Sequence, residues 1–286
     1  MNKSRRRTLL VATALISCVV CLLLQSFIYQ YLENRKARFV SPVGSENTLI
    51  RLQQSHKLHG SVLFMGSSIT ERLLPQEDIN SIAMSGSCFA SSLKLLNDPE
   101  QFAPGTVYIL ETNNLFKGYN TKILKRTEKW DFNLFRDSSH FSLAAKPSNL
   151  IVSVIFHILT QNQVKNAGVF ETDIAQPVDF TNVPSPSAQE LKDWEHLIKG
   201  VEELRARGGR LCFVYLPTIQ LERYAHCYAP ACKLAKHLNI PLLHYNTQSW
   251  VDKLEYTDYE HVNSRAASTV RFMNTVARDA RIHAVK

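Results

Sequence analysis

The sequence predicts an α/β domain with a parallel sheet, preceded by one membrane-spanning helix. Short apolar runs of strand length alternate with longer segments in which apolar residues recur at helical spacing. Strands that alternate with helices predict a parallel sheet covered by helices on both faces. A long uncharged stretch near the N-terminus predicts the separate membrane helix.

The uncharged stretch covers residues 8–32, and crossing the hydrocarbon core of a bilayer takes ~20 residues. Because a basic cluster precedes it, the positive-inside rule keeps that end in the cytoplasm and leaves the rest of the chain outside. A cleaved signal peptide is disfavoured because no A-x-A site closes the stretch. A lipoprotein-type site at residues 15–18 is the rival interpretation, but apolar residues rather than a polar terminus follow Cys18. The basic cluster consists of Lys3, Arg5, Arg6 and Arg7.

The anchor at residues 1–32 is followed by a polar stretch with helical character at residues 33–59, interpreted as a juxtamembrane linker that lifts the domain off the membrane. The domain itself is predicted to occupy residues 60–286. Its predicted strands lie at residues 62–65, 107–110, 211–216 and 240–244. Helices are predicted at residues 191–204 and at residues 263–280. The first is expected to end before Gly208 and Gly209.

Residues 115–186 interrupt this alternation and are interpreted as an insertion that supplies substrate walls or a partner surface. The insertion contains one apolar segment, residues 150–159, which is too short to span a bilayer. The alternative for that segment is an ordinary packing helix.

Composition excludes several classes of function. The net charge is +8, but the basic cluster at the N-terminus carries four of those charges, and no dense Lys/Arg block follows. Nucleic acid is therefore not a predicted partner. The cysteine and histidine spacing predicts no metal site, and no cofactor is expected. Cys227 and Cys232 either close a small disulfide loop or remain unpaired on a helix broken at Pro230.

Residues at the two ends of the domain suggest nucleophilic catalysis. A serine hydroxyl becomes a nucleophile when a base takes its proton and a third group orients that base. Ser68 follows the first predicted strand in a strand-to-helix turn, although a helix cap is the simpler explanation of such a serine. Asp258 and His261 precede the last predicted helix, and a D-x-x-H turn lets the carboxylate reach one imidazole nitrogen while the other faces a nucleophile.

Donors for an oxyanion are also present in the sequence. Asn113 follows the second predicted strand, where its side-chain amide is available as a donor. Gly86, within Ser-Gly-Ser, allows a backbone N–H to approach closely. Because the carboxyl ends of parallel strands meet at one edge of the sheet, Ser68 and Asn113 are expected there together.

The ordered segments FMGSSIT, SGS, ETNN and TDYEHVN resemble the four signature blocks of the SGNH (GDSL-like) hydrolases. The resemblance covers roughly residues 60–275. It implies a flavodoxin-like α/β/α sandwich with Ser68 as nucleophile, His261 as general base and then acid, and Asp258 as its orienting acid. It also implies an oxyanion hole formed by the Ser68 amide, Gly86 and Asn113.

Two departures from the family pattern narrow the expected activity. Ser67 replaces the common Asp of the first block, and the third block reads Glu111-Thr112-Asn113-Asn114 rather than G-x-N-D. Together with the anchor, the Gly-Ser-Ser block is similar to envelope acyl-transfer proteins that assist D-alanylation of teichoic acids or O-acetylation of exopolysaccharides. An ordinary secreted lipase would have a strongly apolar pocket rim, and the stretch at residues 117–129 is too polar for that.

The leading hypothesis is an extracytoplasmic, membrane-anchored O-acyl esterase or O-acyltransferase, with acetyl as the expected acyl group and a cell-envelope glycan as its substrate. A multi-spanning O-acyltransferase in the membrane is the expected protein partner. The alternative is a catalytically silent scaffold of the same fold that binds such an acyltransferase or a glycan.

Overall fold

The computed structural model describes residues 3–35, 37–54, 61–73, 79–94, 105–135, 138–165 and 168–285. Its strands are β1 (Val62–Met65), β2 (Ile79–Ser81), β3 (Val107–Glu111), β4 (Arg210–Tyr215) and β5 (Leu242–His244). The helices before β3 are α1 (Lys3–Asn34), α2 (Gly44–Gln54), α3 (Ser68–Glu71) and α4 (Phe89–Leu93). The later helices are α5 (Thr121–Thr127), α6 (Trp130–Leu134), α7 (Pro147–Lys165), α8 (Ala188–Asp193), α9 (Glu195–Ala206), α10 (Ala225–Leu238), α11 (Gln248–Val251) and α12 (Ala267–His283).

The described strands form one parallel sheet of five strands in the order β2-β1-β3-β4-β5. This confirms the predicted α/β class, and the order is that of flavodoxin-like doubly wound sheets. The strand order reverses between β1 and β3, which makes this pair the topological switch point. Their carboxyl ends therefore border the crevice in which such sheets bind ligands. Strand β2 was not predicted, because Ile-Asn-Ser lacks an apolar run and is a strand only through its pairing with β1.

Helices cover both faces of the sheet. Successive strand residues point to opposite faces, and the neighbours of Cys212 and Phe213 in β4 show what covers each one. The ring of Phe213 lies 5.9 Å from that of Phe89 in α4. Cys212 lies near Asp279 in α12, and burial, reinforced by that negative charge, raises the pKa of its thiol. The core of the domain is therefore divided into two layers by the sheet.

The insertion contains α5, α6 and α7 and then an extended segment that covers the open edge of the sheet. Pro177 forms an antiparallel bridge with Leu243, and the Val178 amide donates to the Leu242 carbonyl at 2.9 Å. Proteins commonly cover exposed strand edges to prevent unwanted pairing. This part of the predicted insertion therefore shields the edge strand β5.

Within the described residues, one helix is long and apolar enough to cross a membrane, over Leu9–Asn34. Within the predicted linker, the described helix α2 packs against the domain rather than acting as a spacer. Ile50 and Leu52 of α2 are buried, and Arg51 forms an ion pair with Glu71 at 2.5 Å. The linker prediction rested on the polar residues of α2, whereas its apolar residues pack into two clusters, Leu52 in the main core and Ile50 with the end of α1. Residue 36 and residues 55–59 of the predicted linker lie outside the described residues.

Two helices differ from their predicted form. The stripe at residues 191–204 forms α8 and α9, which meet at Trp194, rather than one helix. Helix α10 continues through Pro230, which lies inside it. Cys227 and Cys232 are buried, unpaired thiols on that helix, so the disulfide alternative is wrong. The continuous helix separates the two cysteines along its axis, and burial raises the pKa of both thiols.

Candidate active site

The turn after β1 carries Ser68 to the carboxyl edge of the sheet. Ser67 caps α3, since its side chain accepts a hydrogen bond from the Ile69 amide at 3.2 Å. Ser68 is the first residue of α3 and is half-buried. The simpler explanation of a capping serine therefore applies to Ser67 and leaves the Ser68 hydroxyl without that task.

A buried carboxylate, that of Glu111, holds this turn. It accepts hydrogen bonds from the amide and hydroxyl of Ser67 at 2.8 and 2.7 Å. It also accepts from the amide and hydroxyl of Thr70 at 3.3 and 2.6 Å. Charge-assisted hydrogen bonds of this kind are roughly twice as strong as neutral ones. In the sequence, Glu111 was identified only as a departure from a family pattern. Its supporting role could have been inferred from the presence of a carboxylate at the end of an otherwise apolar strand.

The two asparagines after β3 have different partners. Asn113 is fully buried and binds the backbone of Leu216: its amide nitrogen donates at 2.8 Å, and its oxygen accepts from the Leu216 amide at 2.7 Å. These bonds connect the ends of β3 and β4 and leave one N–H of the Asn113 side chain for another acceptor. Asn114 instead donates to the Ser67 hydroxyl at 2.8 Å.

The turn that contains Gly86 lies beside the Ser68 turn. The Met84 amide donates to the Gly66 carbonyl at 2.8 Å, which connects the two turns through the backbone. Gly86 is exposed and has φ of 74°, a left-handed conformation that favours glycine. The structure thus brings the first three predicted blocks together at the crevice between β1 and β3.

The fourth block forms a compact turn in which Asp258 and His261 are paired. His261 Nδ1 lies 2.9 and 2.8 Å from the two Asp258 carboxylate oxygens. The same carboxylate accepts from the backbone amides of Glu260 and His261, each at 2.8 Å. Burial alone would raise the pKa of Asp258, but these hydrogen bonds and the imidazole lower it to about 2.

The charge on Asp258 determines how the imidazole is used. An ionised carboxylate only accepts hydrogen bonds, so Nδ1 carries the proton that it donates to Asp258. The other ring nitrogen, Nε2, is buried and has no hydrogen-bond partner within the described part of the chain. Its nearest acidic neighbour is Glu260, with Oε2 at 3.8 Å, and Glu260 is paired with Arg223. Nε2 is therefore available as a base.

Tyr224 connects the fourth block to the other three. This buried side chain interacts with both Asn114 and Glu260. Burial and the Glu260 charge raise the pKa of its hydroxyl, and the Arg223 charge and the Asn114 amide partly offset the rise. The last turn of the site therefore lies beside the carboxyl ends of β1 and β3. Among the described residues, Ser68 forms no hydrogen bond with His261.

Within the described ranges, no group of three or more His, Cys, Asp or Glu side chains is arranged to hold a metal ion. In comparisons with family profiles, with curated proteins and with solved structures, the chain matches none.

Proposed function

We propose that the chain is a membrane-anchored serine O-acyl esterase or O-acyltransferase. The observation that carries the proposal is the Asp258–His261 pair, whose imidazole Nε2 is buried and has no hydrogen-bond partner in the described chain. A base oriented by a carboxylate on one side and available on the other is what a serine nucleophile requires. The position of Ser68 at the crevice between β1 and β3 supports the same activity.

In the proposed reaction, His261 Nε2 takes the Ser68 hydroxyl proton while Oγ attacks the carbonyl carbon of the ester. The Ser68 and Gly86 amides and the remaining Asn113 N–H would stabilise the oxyanion. The intermediate collapses when the ester C–O bond breaks and His261 gives its proton to the leaving alcohol. His261 then takes the proton of a water or sugar hydroxyl as that oxygen attacks the acyl carbon, and returns it to Ser68 Oγ when the acyl–Oγ bond breaks. The Ser68–His261 hydrogen bond would form with substrate, as catalytic hydrogen bonds often tighten on binding.

We further propose that the substrate is an ester-bearing glycan of the cell envelope, acetylated in the simplest case. The apolar helix at Leu9–Asn34 and the basic residues before it support a single-pass anchor with an extracytoplasmic domain. Anchoring raises the effective concentration of an enzyme near acceptors that are themselves tethered to the surface. A multi-spanning O-acyltransferase beside the anchor would be the acyl donor or the recipient.

The test uses the full-length protein in detergent, a fluorophosphonate probe and p-nitrophenyl acetate. Wild type should be labelled by the probe and should release p-nitrophenol, whereas Ser68→Ala should lose both because no hydroxyl remains to attack. Ser249→Ala is the matched control, since Ser249 is an exposed serine on α11, and it should behave as wild type. Equal labelling of wild type and Ser68→Ala would disprove the assignment of the nucleophile.

A catalytically silent scaffold is the second candidate. Two observations favour it: the Asn113 amide binds the backbone of Leu216, and no hydrogen bond joins Ser68 to His261 among the described residues. Such a scaffold would bind an acyltransferase or a glycan without forming an acyl-enzyme. Absence of probe labelling in the wild-type protein, together with an intact fold, would support it over the enzyme.

A further inference from the structure

Helix α7, which contains the apolar segment of the insertion, has an inner face that packs against the domain. Leu150 belongs to a buried cluster that also contains Tyr29 and Leu32 from the end of α1. Ser153 is fully buried, and its hydroxyl accepts from the Val40 amide at 2.9 Å. The expected packing helix is therefore present, but packing accounts for only one side of it.

The outer face of α7 is an apolar stripe, defined by Ile151, Ile155, Ile158 and Leu159. These side chains are 60%, 53%, 59% and 54% exposed, and their spacing of four, three and one residues places them on one side of a helix. Between residues 147 and 164 the helix has no acidic or basic residue apart from His157. A stripe of large aliphatic side chains with this exposure marks a contact surface rather than a solvated face.

The position of the stripe follows from the contacts between α1 and the insertion. Gln25 donates to the carbonyls of His140 and Ala145 at 2.7 and 2.9 Å, and the hydroxyls of Ser26 and Ser139 lie 3.2 Å apart. Helices α1 and α7 are also in direct contact. The loop before α7 and the start of the stripe therefore lie beside the last turns of the apolar span.

The length of α1 places these contacts at the outer boundary of the membrane. At about 1.5 Å per residue, the uncharged residues 8–32 extend about 37 Å, whereas the hydrocarbon core is about 30 Å thick. With Arg7 at the inner boundary, the outer boundary falls within about one turn of Phe27, beside Gln25 and Ser26. All described side chains from residue 9 to residue 24 are exposed, as a lipid-facing helix requires.

Exposed aromatic side chains extend the surface away from α1. Phe141 is 68% exposed and Trp130 is 73% exposed, and both contact the ring of Phe135, at 5.5 and 6.4 Å between centroids. Phe141 follows the residues that contact α1. Aromatic side chains are enriched where membrane and water meet, so this cluster is suited to the headgroup region.

We propose that the stripe and the aromatic cluster bind the outer leaflet of the lipid bilayer, so that α7 is an interfacial helix beside the anchor. Acyl chains suit the stripe better than a membrane protein does, because interfaces between membrane helices are enriched in small and polar residues, and the stripe has neither. The proposal rests on α1 being the membrane anchor of the proposed function.

This placement would also orient the catalytic turn. Helix α7 contacts α12, and the Arg265 guanidinium lies 5.8 Å from the ring of Phe156 in α7. Arg265 lies four residues after His261. A helix seated in the leaflet would therefore hold the proposed active site at a constant height above the membrane, which suits acyl donors or acceptors tethered there.

The experiment measures the environment of spin labels in the full-length protein, reconstituted alone into phosphatidylcholine vesicles. The background is Cys18→Ser with Cys21→Ser, which removes the two exposed thiols and leaves the four buried ones. Single labels are placed through Ile155→Cys on the stripe, Ile16→Cys in the span and Glu202→Cys on the exposed face of α9. Collision with oxygen and with a water-soluble nickel chelate is compared at each position.

The Ile155 label should resemble the Ile16 label, with a ratio of oxygen to nickel accessibility several-fold above that of the Glu202 label. A water-accessible Ile155 label beside a lipid-embedded Ile16 label would overturn the proposal and favour a protein partner on the stripe. A water-accessible Ile16 label would overturn it together with the anchor. Ester hydrolysis by the same vesicles reports separately on the catalytic assignment.

Discussion

Single side chains determine the polar chemistry at the edge of the sheet. Glu111 is 1% exposed, yet it satisfies the amides and hydroxyls of Ser67 and Thr70, and Asn114 donates to both Ser67 and Glu111. A buried charge is tolerated when hydrogen-bond donors surround it in this way. The three residues that differ from the SGNH-like pattern are therefore hydrogen-bond partners of one another: Ser67, Glu111 and Asn114. Together they support the turn that presents Ser68.

At this scale, Asp258→Asn tests the proposed role of the carboxylate. An amide can donate to Nδ1, which would move the ring proton to Nε2 and remove the base. We expect kcat for p-nitrophenyl acetate to fall by roughly 10²–10⁴-fold with little change in stability, because the side chain is 48% exposed.

The control is Asp252→Asn, an exposed aspartate that accepts a hydrogen bond from Gln248 at the end of α11. It should leave kcat unchanged. Wild-type kcat in Asp258→Asn would contradict the proposed orientation of His261.

At the scale of elements, the junction between β1 and α3 depends on Gly66. A Cβ built on Gly66 would lie 2.5 Å from Glu111 Oε2 and 2.6 Å from both Glu111 Cβ and Thr70 Oγ1. Strand β1 can therefore lead into α3 beside the Glu111 carboxylate only if residue 66 has no side chain. The requirement comes from close approach rather than from backbone conformation, since Gly66 is not among the positive-φ residues of the described chain.

Gly66→Ala should consequently disturb the junction. The added methyl must displace Glu111 or Thr70, and overpacking of this kind costs about 1–3 kcal/mol. We expect a lower free energy of unfolding in urea and slower fluorophosphonate labelling of Ser68. Gly118→Ala is the control, because a methyl there meets no atom of the described chain within 4 Å. Equal stability and equal labelling in the two variants would contradict the requirement that residue 66 has no side chain beside Glu111.

For the whole molecule, the arrangement of anchor, insertion and sheet differs from a domain on a flexible stalk. The cluster of Tyr29, Leu32, Ile50, Ala145 and Leu150 joins the end of α1 to α2 and to the insertion. The proposed anchor therefore continues into the packing of the domain, and the orientation of the domain follows from that of the helix.

The topology of the whole chain can be measured with a membrane-impermeant maleimide in spheroplasts of an expression host. In the Cys18→Ser, Cys21→Ser background, Glu202→Cys should react before lysis, because the positive-inside rule places the domain outside. Ser4→Cys should react only after detergent lysis. The reverse pattern would place the domain in the cytoplasm and would exclude an envelope glycan as its substrate.

The elements that depend on residues close together in the chain were the ones best predicted from the sequence. The strands β1, β3, β4 and β5 each contain a short apolar run, and α12 has a stripe at helical spacing, so local pattern was sufficient for each. Strand β2 and helix α2 were not identified, because Ile-Asn-Ser and a largely polar helix acquire their roles from contacts with distant residues.

The α/β class, the uncharged N-terminal span and the Asp258–His261 turn were all predictable, because each depends on residues close together in the chain. Four features became visible only in the folded chain: the support of the Ser68 turn by Glu111, the binding of Leu216 by Asn113, the continuation of α10 through Pro230 and the exposed apolar stripe of α7. In each case, burial and hydrogen bonding depend on contacts between segments that are distant in the chain. The spacing of residues within one segment does not predict those contacts.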